Sequence, residues 1–415
     1  MKVTILATGT RGDVQPYVAL GLGLKAAGHQ VRVASSKTFS EFVGAHALEF
    51  HPLEVDVKQV LGSEVGADIM KKGSNPVQFI RLYGKLMRPF IEQQLHDSWQ
   101  ACQGADALIY SPLSFGGASF GEKLQIPHFL AKIQPVGITR EFPSPVIPPG
   151  IKLGGMYNLL TYKVVKQISR QTLTPPVKDW LQANLQISPA RSWRQLQYQK
   201  AQLFGFSDAV VPKPHDWPDS WYVTGYWVLE QSNWQPPAEL IEFLAAGPPP
   251  VYIGFGSMKS QSPAALTQLA IKALSLSNQR GILLTGWGSL RQTDLPKDVY
   301  IVDSVSHDWL FPQMAAVVHH GGSGTTAASL RAGVPTIITP FVADQPFWGD
   351  RIQKLGIGPA PIRQNKLTAD ALSKSISAAI NHQPFKERAV RLSQRIKAEN
   401  GVAQAVDIFN QLIKD

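Results

Sequence analysis

The sequence predicts an α/β protein built as two doubly wound parallel sheets, and three observations predict it. Short apolar runs alternate with amphipathic helical patterns in two separate series. A proline-rich stretch at 212–250 divides the two series. Within the second, Val317-Val318-His319-His320-Gly321-Gly322-Ser323-Gly324-Thr325-Thr326 carries an apolar strand through a glycine-rich turn directly into a helix. Such a turn offers unpaired backbone N–H groups and a positive helix end to an anion. Taken alone, it is equally an ordinary strand-to-helix connection.

In the first series, Val3–Ala7 reads as a strand. Gln15–Ala27 reads as a helix, apolar at Val18, Leu20, Leu22 and Leu24 and closed by Gly28. Val31–Ala34, Ala105–Tyr110 and Pro127–Ala131 read as further strands. The stretches 56–100 and 135–175 look irregular, the second carrying Pro143, Pro145, Pro148, Pro149 and Gly154-Gly155, and are expected to be functional loops or lids. The break at 212–250 reads as linker around one strand, Trp221–Gly225.

The second series runs through strands Val251–Phe255, Gly281–Thr285, Val299–Val302, Ala315–Val318 and Thr336–Thr339, with a helix at Ala264–Leu276. A long amphipathic helical stretch from Pro384 to Lys414 closes the chain, broken at Asn400-Gly401. These elements divide the chain into a first domain at 1–215, a linker at 216–250, a second domain at 251–383 and a helical tail at 384–415 that packs back on the first domain. Two such halves imply a cleft, with ligands outside the carboxyl ends of the strands.

At 415 residues, 44% hydrophobic and 17% charged, the chain holds enough apolar material for two cores. The single Cys102 forms no internal disulfide, which points to a reducing, cytoplasmic setting. The first apolar run, Val3–Ala7, is too short for a signal core, and no uncharged stretch approaches the roughly 18 residues of a membrane span. The net charge of +10 is unevenly placed. Residues 1–215 hold 23 Lys and Arg against 14 Asp and Glu, whereas residues 216–415 hold 17 against 16. No zinc spacing, helix-turn-helix or basic run with interleaved aromatics accompanies that excess, so nucleic acid is not expected as a partner. An ordinary basic surface and an anionic membrane surface both fit it.

Four turns carry the candidate chemistry. After the first strand comes Gly9-Thr10-Arg11-Gly12-Asp13-Val14-Gln15-Pro16, where Asp13 is either a helix cap or a general base at the cleft. Val251–Met258 ends in Gly254-Phe255-Gly256-Ser257, whose serine offers a hydroxyl and an N–H to an anion. Asp303-Ser304-Val305-Ser306-His307-Asp308-Trp309-Leu310-Phe311 precedes the phosphate turn where a nucleoside would rest; Trp309 and Phe311 read as core residues. Asp344-Gln345 sets a carboxylate beside an amide, a pair that grips adjacent hydroxyls or caps a helix.

These motifs stand in family order, with Arg331-Ala332-Gly333-Val334-Pro335 and Asp344-Gln345-Pro346-Phe347-Trp348-Gly349 completing the set. The chain resembles the family 1 glycosyltransferases of GT-B fold, nearest to the branch of sterol glucosyltransferases and bacterial antibiotic-decorating enzymes. The resemblance implies two Rossmann-like domains facing across a cleft, the first holding an apolar acceptor and the second a nucleotide sugar, most often UDP-glucose, with no essential metal or other cofactor. It implies that His319, Gly322, Ser323, Gly324 and Thr325 bind the diphosphate, with Ser257 across the site. It further implies that Asp344 and Gln345 contact the sugar and that Asp13 is the base of a single inverting displacement. Where plant members carry a tryptophan that stacks on uracil, this chain has Ser304 and Val305, which take the nucleoside position. Where plant members use a histidine base, it has Thr10 and Asp13, as in the sterol-type branch. Large eukaryotic sterol enzymes carry lipid-binding modules ahead of this region, so a bare catalytic unit is expected here.

The expected function is thus glucosyl transfer from UDP-glucose to a hydroxyl of a sterol, triterpenoid or other lipid-like acceptor. Alternatives are a natural-product glycosyltransferase using a dTDP-sugar, a GT-B sugar-nucleotide epimerase, and a non-catalytic nucleotide-sugar-binding protein. Basic amphipathic faces are expected at Lys71, Lys72, Arg81, Lys85 and Arg88, and at Lys163, Lys166 and Arg170. They suit either ordinary helices with a core face and a solvated face or peripheral contact with a membrane.

Overall fold

The computed structural model describes residues 1–55, 60, 75–151, 153–187, 201–230, 234–255, 263–284 and 295–414. The first half runs β1 (Lys2–Leu6), α1 (Arg11–Ala26), β2 (Gln30–Ser36), α2 (Ser40–Gly44), β3 (Glu49–Leu53), α3 (Pro76–Met87), α4 (Ile91–Cys102), β4 (Ala107–Tyr110), α5 (Gly117–Leu124) and β5 (His128–Lys132). It continues through α6 (Gly154–Thr172), α7 (Thr174–Leu185), β6 (Gln202–Phe204) and β7 (Trp221–Val223). Its seven strands lie in the order β3-β2-β1-β4-β5-β6-β7, all parallel. Val3, Ile5, Leu6 and Ala7 are fully buried, because helices cover both faces of a parallel sheet and leave no alternation.

The second half runs α8 (Ala238–Ala245), β8 (Val251–Gly254), α9 (Pro263–Leu276), β9 (Gly281–Leu284), β10 (Val299–Val302), α10 (His307–Leu310), β11 (Ala316–His319), α11 (Ser323–Ala332), β12 (Thr336–Ile338), α12 (Gln345–Leu355) and α13 (Ala369–Asn381). Its five parallel strands take the order β10-β9-β8-β11-β12. Both sheets therefore reverse direction beside their first strand, at β1/β4 and at β8/β11. Those are the points where α/β sheets hold ligands.

The stretches expected to be irregular contain α3, α4 and α6. Asn75 starts α3 by accepting from the N–H groups of Val77 and Gln78 at 3.0 and 3.2 Å, with Pro76 in the first turn. The Asn-Pro pair signalled a helix start; the nearby prolines and glycines masked it. The segment 216–250 opens with β7, the edge strand of the first sheet, and contains α8.

The chain crosses between the halves twice. After β7, Trp227 and Leu229 still pack in the first core, and Leu240 of α8 is buried in the second. The return passes from α14 (Gln383–Ala398), packed on α11, to α15 (Gly401–Leu412), packed on α1. Ala405, Val406 and Phe409 of α15 complete the first core. The crossings touch: a Cβ on Gly401 would lie 2.5 Å from the Tyr226 carbonyl oxygen, and one on Gly225 would lie 3.0 Å from Glu399 Oε2. Beside them an apolar cluster joins Phe204, Phe206, Trp217 and Trp221 to Ile338, Phe347, Trp348 and Ile352.

Candidate active site

Asp13 is held by its own turn. Thr10 is the N-cap of α1 and Asp13 the third residue of a capping box. The Thr10 backbone N–H and hydroxyl both donate to Asp13 Oδ2 at 2.9 Å. The capping reading is therefore correct in substance, with Thr10 as the cap and Asp13 as its partner. It does not exclude the other reading, because the half-buried carboxyl faces the cleft. Burial raises its pKa, while the two Thr10 donors and the Gln134 amide pull it back. Gly9 makes this geometry possible. Its φ is +144°, and a Cβ there would fall 2.5 Å from both Cβ and Oδ2 of Asp13. The Tyr17 hydroxyl, donating to the Ala131 carbonyl at 2.7 Å, ties α1 to β5.

Across the cleft stands the glycine turn after β11. Gly322 is the N-cap of α11, and helix geometry leaves the N–H groups of Ser323, Gly324 and Thr325 without intrahelical partners. A Cβ on Gly324 would approach the Gly12 carbonyl oxygen at 3.5 Å, so the anion turn of one domain faces the Asp13 turn of the other. Arg11, exposed beside Gly12, lies over the Phe42 ring at 4.5 Å, with its Nε donating to Gln15 Oε1 at 3.3 Å.

The two histidines divide their work in a way the sequence did not reveal. His319, fully buried, accepts the Gly321 N–H on Nδ1 at 3.0 Å, and its Nε2 lies 3.5 Å from Ser329 Oγ. Burial, followed by His320 and His307, keeps this ring neutral, well below the ordinary imidazole range. Both ring nitrogens lie against groups of their own domain, so the ring shapes the turn expected to receive the diphosphate. Successive side chains of a strand point to opposite faces, which turns the neighbouring ring the other way. His320 Nδ1 is buried without a hydrogen-bond partner, and burial pushes that imidazole down to about 4. His320 is thus the ring with an uncommitted nitrogen beside the anion turn.

Asp344 follows Ala343, whose φ of +56° turns the chain into α12. Its Oδ2 accepts the Trp348 indole N–H at 2.9 Å. Burial raises Asp344 to about 6, and the charge of Asp13 adds to the rise, so the two carboxyls share one cleft. Gln345 Oε1 accepts the N–H groups of Phe341 and Val342 at 2.8 and 3.1 Å, fixing the loop beside the cleft. Ser304 is exposed after β10, and Val305 packs against the cluster containing Leu310 and Phe311. Phe311 is fully buried and Trp309 packs beside it, as core residues. His307 stacks on Phe311 at 4.3 Å and meets the Tyr252 hydroxyl at 3.3 Å. Burial, then His320 and Arg11, pushes it down to about 4. Ser257 lies outside the described residues. Among the described residues no group of three or more His, Cys, Asp or Glu is placed to hold a metal ion.

Two parallel α/β domains thus set the glycine turn of one opposite the Asp13 turn of the other. The comparisons with known proteins fit that division. Residues 3–143 match the glycosyltransferase family 28 N-terminal domain. Residues 287–412 match the erythromycin biosynthesis protein CIII-like C-terminal domain. The sterol 3-beta-glucosyltransferase of Emericella nidulans is 38% identical over 421 residues, 98% of this chain and 29% of that protein. That of Neurospora crassa is 38% identical over 425 residues, 98% of this chain and 27% of that protein. The chain thus spans under a third of the length of these relatives. The solved glycosyltransferase of kitacinnamycin superposes with a TM-score of 0.74 at 18% identity, covering 99% of both chains, a likeness of fold. The chain has the two-domain fold of these glycosyltransferases, and each half is similar to a glycosyltransferase or antibiotic-biosynthesis domain.

Proposed function

We propose that the chain transfers glucose from UDP-glucose to the hydroxyl of a sterol or similar apolar acceptor. The observation that carries this reading is the 38% identity to sterol 3-beta-glucosyltransferases across 98% of the chain. The site supplies a consistent chemistry. Asp13 takes the acceptor proton, the acceptor oxygen attacks the anomeric carbon, and the bond from that carbon to the diphosphate breaks with inversion. The departing diphosphate is received by the N–H groups at the start of α11, with His320 beside them. Asp344 accepts from sugar hydroxyls, with Trp348 holding it in place. Uracil as the base, glucose as the sugar and a cytoplasmic, membrane-peripheral setting all belong to the proposal. The setting is supported by the positive charge concentrated in residues 1–215.

The test is UDP release from UDP-glucose across sterols, triterpenoids and flavonoids, with dTDP-glucose in parallel. Sterol-dependent release supports the reading. Release with flavonoids alone, or with dTDP-glucose alone, overturns the acceptor or the donor respectively.

A further inference from the structure

Ten large apolar side chains stand exposed among the described residues, and five of them lie between Ile151 and Val164. Ile151 is 56% exposed, Leu153 70%, Met156 71%, Leu160 54% and Val164 38%. Met156, Leu160 and Val164 are four residues apart on α6 and form one stripe along its outer face. The opposite face, with Asn158, Thr161, Tyr162 and Ile168, is buried. The stripe is therefore surplus to folding. Such contiguous apolar surface on a globular domain marks a contact.

The charges on α6 and on its neighbour α3 are of one sign. Arg81 and Lys85 stand exposed on α3, and Lys163 and Arg170 on α6. Neither helix contains an Asp or Glu. α3 and α6 pack closely, since a Cβ on Gly84 would come 2.5 Å from the Thr172 side chain. Exposed acids stand on neighbouring segments at Asp179, Glu141 and Asp216, where Asp216 accepts from Thr139 Oγ1 and the Arg140 N–H at 2.6 and 2.8 Å and Glu141 accepts from the His215 N–H at 2.7 Å. An apolar stripe on a helix pair whose own charges are all cationic matches the interface of an anionic bilayer.

The position matters as much as the chemistry. Asn158 of α6 donates to the Arg140 carbonyl at 2.7 Å and Thr161 accepts from the Ser144 N–H at 2.9 Å, and Phe142 between them meets Phe347 of the second domain with ring centres 5.6 Å apart, so α6 stands where the first domain meets the second. We infer that α6, with Ile151 and Leu153 ahead of it, docks on an anionic lipid bilayer and sets the acceptor side of the cleft against the membrane. The inference rests on the apolar acceptor proposed above.

Flotation with vesicles of phosphatidylcholine containing about one-third phosphatidylserine tests it, against pure phosphatidylcholine. The wild-type chain is expected to float with the anionic vesicles and to lose most binding at high salt. The double variant Met156→Ser/Leu160→Ser, with an unchanged melting temperature, is expected to bind about tenfold more weakly. Undiminished flotation of the variant overturns the assignment, as does absence of wild-type flotation or equal binding to neutral vesicles. Glucosyl transfer is read in parallel. The variant should lose transfer to a vesicle-borne sterol and keep transfer to the same sterol delivered in cyclodextrin. Stripe-dependent flotation without transfer to any sterol would leave the docking face standing and remove the proposed acceptor. Sterol transfer without stripe-dependent flotation would do the reverse.

Discussion

Replacing Gly9 by alanine should disable the site through one added methyl group. The new Cβ would lie 2.5 Å from Asp13 Cβ and Oδ2 and 2.7 Å from Cγ, at a φ of +144°. An L-residue held in such a backbone region costs about 1–3 kcal/mol. Carbon contacts relax to about 3.5 Å, so the carboxylate must retreat by roughly 1 Å. That displacement strains or breaks the two Thr10 hydrogen bonds and misaims the proposed base. A misplacement of about 1 Å costs turnover on the order of 10²-fold. The assay is acceptor-dependent UDP release, read with thermal unfolding and with UDP affinity by calorimetry. Turnover and melting temperature should fall, while UDP affinity holds because the anion turn belongs to the other domain. Gly12→Ala is the control, since its Cβ would meet only Thr10 Oγ1, at 4.0 Å, and the melting temperature should stay near wild type. A Gly9→Ala variant with wild-type turnover would refute the claim that Gly9 sets the Asp13 geometry.

Asp13→Asn should lower turnover by about 10² or more while leaving donor affinity nearly intact; surviving turnover would assign proton removal to another group. Because Asp344 titrates at about 6, kcat/KM should fall as pH drops through that value, and Asp344→Asn should remove the limb along with much of the activity. The folding effect has the opposite sign: a carboxyl raised in the folded state stabilises it as pH falls from about 6 toward 4, which a melting series would record for wild type and not for the variant. His319→Ala removes the Gly321 bond and leaves a cavity, so stability should drop by about 3 kcal/mol and UDP affinity should weaken. Unchanged UDP affinity by calorimetry would remove the ring from any part in shaping the anion turn.

The parts legible in the sequence are those whose chemistry is local. The β11 turn announces itself through four glycines and serines in a row, and the central strands through short fully apolar runs. α3, α4 and α6 were obscured because prolines and glycines punctuate their flanks, and because α6 leaves apolar residues facing outward. β3 contains Pro52 and sits at the sheet edge, where the usual alternation is weak. The division between His319 and His320 depends on which face of β11 is covered, and two adjacent histidines do not reveal that. The electrostatic tie between Asp13 and Asp344 arises only when the two domains dock, so neither flank of either residue carries a trace of it.

The paired crossings at Tyr226 and Gly401 fasten the two domains along one line, and the apolar cluster beside them braces it. The second crossing ends by filling the core of the first domain with Phe409. The helix at Gly401–Leu412 therefore serves as both pin and plug, and cutting it away would unseat the first domain although it lies more than 150 residues from that domain's last strand.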